Sequence, residues 1–250
     1  MVDAVESMAY AGEVPWHGLG KPVTNKLTPA QMQKEAGLDW KVEKRKLIYP
    51  NGDKMVEVKD KFALVREKDS ALLSIVGSTY KPVQNDVAVD FFKKFVVAGH
   101  MNMETMGSLH NGQYIWALAR IGKDFKLAGG DEVRGFLLLC QPHVIGKAMV
   151  IQFTPIRVVC WNTLSWALGD NLKGKGNAFR MPHSIEFNDV VKKKAEEALG
   201  LSSHQMDEFK DLSTLLSKKR AKPEAVEEYF RTLLKFKPDE AAKIAAPTKG

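Results

Sequence analysis

The sequence predicts an α+β fold: a mostly antiparallel sheet with β-hairpins and packed helices, followed by a helical C-terminal region. Three observations carry this. Asn51-Gly52 and Asn111-Gly112 each sit between β-capable runs, the pattern of a tight hairpin. Asn85 to Ala98 repeats Val87, Phe91, Phe92 and Phe95 at helical spacing. From about Asn188 the chain changes to charged segments with Leu and Phe at helical spacing. The implied division is a core over residues 1–187, a helical region over 188–236 and a disordered tail over 237–250.

Taken in order, residues 1–30 read as irregular. Pro15, Gly18 and Gly20 punctuate Pro15-Trp16-His17-Gly18-Leu19-Gly20 and exclude a regular element there. A Trp-His pair so framed can stack on a base, donate to a phosphate or plug the bottom of a core. Thr28-Pro29 reads as a cap and first helical residue, with a short helix to about Glu35. Lys41–Leu47 and Met55–Val58 flank the first Asn-Gly turn, and Phe62–Val65 and Leu72–Val76 add two strands. Asn85 or Asp86 caps the long helix and Gly99 closes it. Glu104–Leu109 and Tyr114–Arg120 flank Asn111-Gly112 as a type I′ hairpin, and Arg134–Cys140 and Lys147–Phe153 follow as strands.

Thr154-Pro155 repeats the cap-and-proline pattern, so Ile156–Leu168 reads as a helix, although its β-branched start also allows a strand. On a helical wheel Arg157 and Trp161 share one face. Such a face, if exposed, offers a cation and a stacking ring together; if covered, Trp161 is core. Lys173-Gly174-Lys175-Gly176-Asn177 is a basic loop whose glycines let backbone amides approach an anion. It lacks P-loop spacing. Asn188–Leu199, Gln205–Lys219 and Pro223–Phe236 complete the helical region.

The chain has 250 residues, 37 Lys+Arg against 30 Asp+Glu, a net charge of +7 and 44% hydrophobic residues. This is globular composition and excludes a wholly disordered or collagen-like chain. No apolar run reaches the roughly 18–20 residues that span a bilayer, and the acidic N-terminus is unlike a secretory signal. Cys140 and Cys160 form neither a CxxC pair nor a disulfide framework, which fits a reduced, cytoplasmic setting.

The charge is concentrated. Residues 141–180 hold Lys147, Arg157, Lys173, Lys175 and Arg180 against Asp170 alone, which is +4 of the +7. Phe153, Trp161, Trp166 and Phe179 lie in the same window. Cations interleaved with aromatics suit single-stranded nucleic acid, because phosphates meet the cations and unpaired bases stack on the rings. Solvated lysines at the edge of a core give the same composition with no ligand.

Enzyme motifs are absent from the sequence. The six histidines show no HExxH or zinc-finger spacing, and there is no GxSxG elbow, no GxGxxG opening a helix and no dense carboxylate motif. No cofactor or metal is implied. An enzyme would need a scattered site, and Cys160 with His143 or His17 as base is the candidate; the competing reading is a buried cysteine with surface histidines.

Four blocks carry a family resemblance: Pro15-Trp16-His17-Gly18-Leu19-Gly20, Tyr80-Lys81-Pro82-Val83-Gln84-Asn85, Gly129-Gly130-Asp131-Glu132-Val133, and Phe153-Thr154-Pro155-Ile156-Arg157-Val158-Val159-Cys160-Trp161-Asn162-Thr163-Leu164. In this order they resemble the phage/plasmid-like proteins grouped as domain of unknown function 932, over roughly residues 8 to 235. The chain departs from that pattern at Pro142-His143-Val144-Ile145-Gly146, where family members often carry a Ser-His-Asp-Gly-like turn, and it ends early compared with typical members. The resemblance implies a mobile-element origin, and hence the bacterial host cytoplasm, but no settled activity. The element order is similar to the β-β-β-α cores of phage single-strand annealing proteins of the Rad-fifty-two-like class, an analogy of fold alone.

The expected function is therefore an oligomeric single-stranded DNA-binding and strand-annealing protein that needs no nucleotide hydrolysis. Lys147, Arg157, Lys173, Lys175 and Arg180 would form its groove, with Trp161 as stacking platform. The alternatives are a module binding a replication or host protein through the C-terminal helices, and an enzyme using Cys160; a replication or recombination protein is a further partner of the annealing reading.

Overall fold

The computed structural model describes residues 4–122, 124–126, 130, 132–169 and 178–201, together with the single positions Asp211, Thr214 and Glu224. In chain order its elements are β1 (Val5–Ala11), β2 (Lys21–Val23), α1 (Pro29–Glu35), β3 (Val42–Asn51), β4 (Lys54–Arg66), β5 (Leu72–Gly77), α2 (Asn85–Ala98), β6 (Asn102–Leu109) and β7 (Tyr114–Arg120). They continue as β8 (Phe125–Lys126), β9 (Glu132–Val133), β10 (Phe136–Pro142), β11 (Ala148–Thr154), α3 (Trp161–Leu168), β12 (Phe179–Pro182) and α4 (Asp189–Leu201). The fold is α+β and mostly sheet. Predicted segments Gln205–Lys219 and Pro223–Phe236, and the tail, lie outside the described residues apart from Asp211, Thr214 and Glu224.

A seven-stranded sheet runs in the order β12-β11-β10-β7-β6-β1-β2, antiparallel except for the parallel β1–β2 pair. The N-terminal segment, expected to be irregular, thus supplies β1, with Met8 to Ala11 all buried. Its partner β6 lies about a hundred residues on, so the signal is a long-range pairing that local composition does not show.

The local turn chemistry holds. Thr28 caps α1 with a capping box to Gln31 and Pro29 in the first turn. In the β6–β7 hairpin, Gln113 N donates to the His110 carbonyl at 3.2 Å, and Asn111 and Gly112 have φ of 55° and 85°, the type I′ signature. The first hairpin also forms, but Met55–Val58 and Phe62–Val65 are halves of one strand, β4. Its pairing with β3 jumps at an irregularity after Lys46, and Asp60 takes φ 57°. The α2 bounds are as expected, yet its cap is Gln84, whose side chain exchanges hydrogen bonds with the Val42 backbone instead of capping.

Two cores cover the two faces of the large sheet. On one face α1, α2, β3–β5 and the start of α4 pack over Met106, Ala117, Leu137, Leu139 and Ile151. Strand alternation places Met8, Leu118, Leu138 and Val150 on the other face, beneath residues 156–168. There the expected helix from Ile156 is corrected. Helix α3 begins only at Trp161, with Cys160 as its cap residue. Thr154 is the last residue of β11 and its Oγ1 accepts from Ile156 N, forming a turn. The Thr163 hydroxyl oxygen accepts from Val159 N and Cys160 N, and the Ile-Arg-Val-Val run before α3 is not helical.

Candidate nucleic-acid interface

The segment leading into α3 is fixed from below by a buried relay. Trp116 Nε1 donates to Thr105 Oγ1 at 3.1 Å, and that hydroxyl donates to the Val158 carbonyl at 2.7 Å. Strand register explains it: Gly107 lies opposite Trp116, and the absence of a side chain there lets the indole lie across β6.

Arg157 does not share a helix face with Trp161. Its Nε donates to Glu104 Oε1 at 2.6 Å, and its Nη2 donates to the Ala11 and Glu13 carbonyls at 3.3 and 2.7 Å. With its side chain 19% exposed, Arg157 joins the β1–β2 loop to the sheet and is not presented to solvent as a phosphate contact. Trp161 is half-buried, tilted against Tyr114 (centroids 4.8 Å apart) and edge-on to His110 (4.6 Å). Lys147 and Arg180 are exposed, and Arg180 Nη2 donates to the Leu168 carbonyl at the C-terminal end of α3. Lys173 and Lys175 lie outside the described residues, in the link from α3 to β12.

Sequence reasoning counted Trp166 among the aromatics of the basic window but gave the stacking role to Trp161. Trp166, on the outer face of α3, is 59% exposed and lies within a turn of the Leu168 carbonyl that Arg180 holds.

The first block meets the last. His17 Nδ1 accepts from Leu19 N at 3.0 Å, so the neutral ring carries its proton on Nε2, which donates to the Val159 carbonyl at 3.0 Å. Trp16, which a core plug would bury, is 70% exposed.

Among the described residues no hydrogen bond joins Cys160 to His143 or His17. Both His17 nitrogens are engaged as above. His143 lies on the opposite face of the sheet, donating from Nε2 to Asn85 Oδ1 at 2.8 Å; it is fully buried rather than on the surface. Burial holds its pKa down at about 3, helped by the charge of nearby His183. The Cys160 sulfur is buried 3.4 Å from the Thr163 hydroxyl, and burial raises the Cys140 thiol to about 12. Among the described residues no cluster of three or more His, Cys, Asp or Glu could hold a metal ion. No described helix is long and apolar enough to cross a membrane.

The family model for a domain of unknown function, DUF932, matches residues 72–249. The chain belongs to this family. Three of the four blocks that carry the resemblance lie inside the matched range, and Pro15 to Gly20 precedes it. No curated protein and no solved structure matches this DUF932 chain.

Proposed function

We propose that this DUF932 protein binds single-stranded DNA along the α3 side of its large sheet, and that it anneals complementary strands as an oligomer without hydrolysing nucleotides. One observation carries the reading. In the last turn of α3 the indole of Trp166 is exposed, and exposed Arg180 donates to the Leu168 carbonyl two residues on; Lys173 and Lys175 follow in the sequence, outside the described residues. Lys147 stands exposed just before β11, the neighbour of β12. A ring and cations, with no catalytic constellation among the described residues, fit a ligand that is held rather than converted. Annealing requires a backbone grip that leaves base edges free to pair. The phage and plasmid setting implied by the resemblance supports recombination in a bacterial cytoplasm, and Gln205–Lys219 and Pro223–Phe236 complete a helical C-terminal region in this reading.

The test is fluorescence anisotropy of a labelled single strand of ~40 nucleotides against its duplex, titrated over salt. Four phosphates neutralised by Lys147, Lys173, Lys175 and Arg180 give a log–log slope near −3 for single strands. Replacing Lys147 and Arg180 by Gln reduces that slope by about 1.4. Absent or salt-insensitive binding refutes the interface.

A further inference from the structure

Of the five tryptophans, Trp40 and Trp116 are buried and Trp161 is half-buried, whereas Trp16 and Trp166 are exposed. Both exposed rings belong to the layer on the α3 side of the large sheet: Trp166 on α3, and Trp16 on the β1–β2 loop docked against Val159, two residues before α3. Only Trp166 has a place in the interface proposed above.

The β1–β2 loop is held from several directions. Arg157 grips the Ala11 and Glu13 carbonyls, and the Glu13 carboxylate pairs with Arg134 at 2.9 Å. Gly18 N donates to the Pro15 carbonyl at 2.8 Å, and His17 bridges Leu19 N and the Val159 carbonyl. A loop this constrained does not fold its indole inward. The His17 ring meets Trp16 at 68° with centroids 5.2 Å apart, an edge contact that leaves an indole face open.

We infer that Trp16 is a second base-stacking platform, so that a single strand lies along α3 from the Arg180–Trp166 end to the β1–β2 loop. This rests on the single-strand reading proposed above. The cation at the far end of α3 orients the choice of occupant: a chain of phosphates with unpaired bases meets both the charge of Arg180 and the two open rings. Helix α3 has eight residues and is about 12 Å long, so engaging both rings takes several nucleotides.

The test uses the full chain with a labelled ten-nucleotide oligothymidine, following anisotropy and tryptophan fluorescence for wild type, W16A, W16F and W166A. Base stacking predicts that W16A weakens binding about five- to a hundred-fold, leaves the salt slope and thermal midpoint unchanged, and removes part of the fluorescence quench. W16F retains most of the affinity. Wild type that fails to bind the oligonucleotide overturns the single-strand reading and this inference together. Wild type that binds while W16A binds equally well overturns this inference alone. So does W16A that binds DNA normally but shows a changed mass by light scattering, which would assign Trp16 to a protein contact.

Discussion

Acid destabilisation of the fold is predicted from the buried histidines at the ends of β10 and β12. His143 is fully buried, with its pKa held at about 3 against an ordinary 6.5, and burial also lowers the pKa of His183. The unfolded chain takes up a proton at His143 near pH 6.5 that the folded chain refuses. Below that pH the unfolded state binds more protons, so stability falls as the solution is acidified and levels off only near pH 3. One refused proton gives about 1.4 kcal/mol per pH unit. Between pH 7 and 4.5, above the range in which carboxylates dominate, His143 alone removes about 2 to 3 kcal/mol, and His183 acts with the same sign. With a urea m-value of roughly 2–3 kcal/mol/M for a chain of this size, the unfolding midpoint drops by about 1 M. Urea denaturation at half-unit pH steps reads this directly. H143Q keeps a donor for Asn85 and lessens the pH dependence by one proton. A midpoint flat from pH 7 to 4.5, or a His143 imidazole that titrates near 6.5 by NMR in the folded protein, would refute the reasoning.

Two further substitutions test the packing around the α3 layer. G107A places a methyl group against the Ser7 carbonyl and the Trp116 ring, whose Cζ3 lies 2.8 Å from the new carbon. Backbone on one side and a buried indole on the other predict a loss of at least about 3 kcal/mol by urea unfolding, and an unchanged midpoint would show that β6 and the ring can separate freely. R157M strands a part-buried Glu104 carboxylate and should lower stability by about 3 kcal/mol, with E104Q in the same chain recovering part of it. Its salt slope on single-stranded DNA should match wild type; a flatter slope with unchanged stability would return Arg157 to the phosphate groove.

Much of the fold was legible where local chemistry decides it. The Thr28-Pro29 cap, the Asn111-Gly112 turn and the phenylalanine stripe of α2 each act within a few residues, and each forms as the pattern predicts. What failed depends on distant partners. Val5–Ala11 carries no turn or period that announces a strand, and β6 makes it one. Thr154-Pro155 matches a helix start, but the Thr163 hydroxyl and Thr105 engage the Val159 amide and the Val158 carbonyl, and the following residues are not helical. The candidate site divides along the same line. Charge composition found the exposed Lys147 and Arg180, but it could not separate them from Arg157, whose partner Glu104 lies 53 residues away. Nor could it separate Trp166, open to solvent, from Trp161, held against Tyr114.

The place of β1 has a consequence for how fragments of this protein behave. The family match starts at residue 72, which invites trimming the chain to that point. Such a fragment would lose both β1 and β2, leaving the eight residues of β6 as a raw sheet edge. It would also lose β3, β4 and α1 from the opposite core, and the Trp16 loop with its anchor on Val159. An unpaired edge beside an uncovered apolar face is a template for aggregation. The same geometry bears on synthesis. Strand β1 is made well before its antiparallel partner β6, which is complete only after residue 109. Until then β1 has no antiparallel neighbour, and a nascent chain stalled in that interval exposes its apolar residues to aggregation.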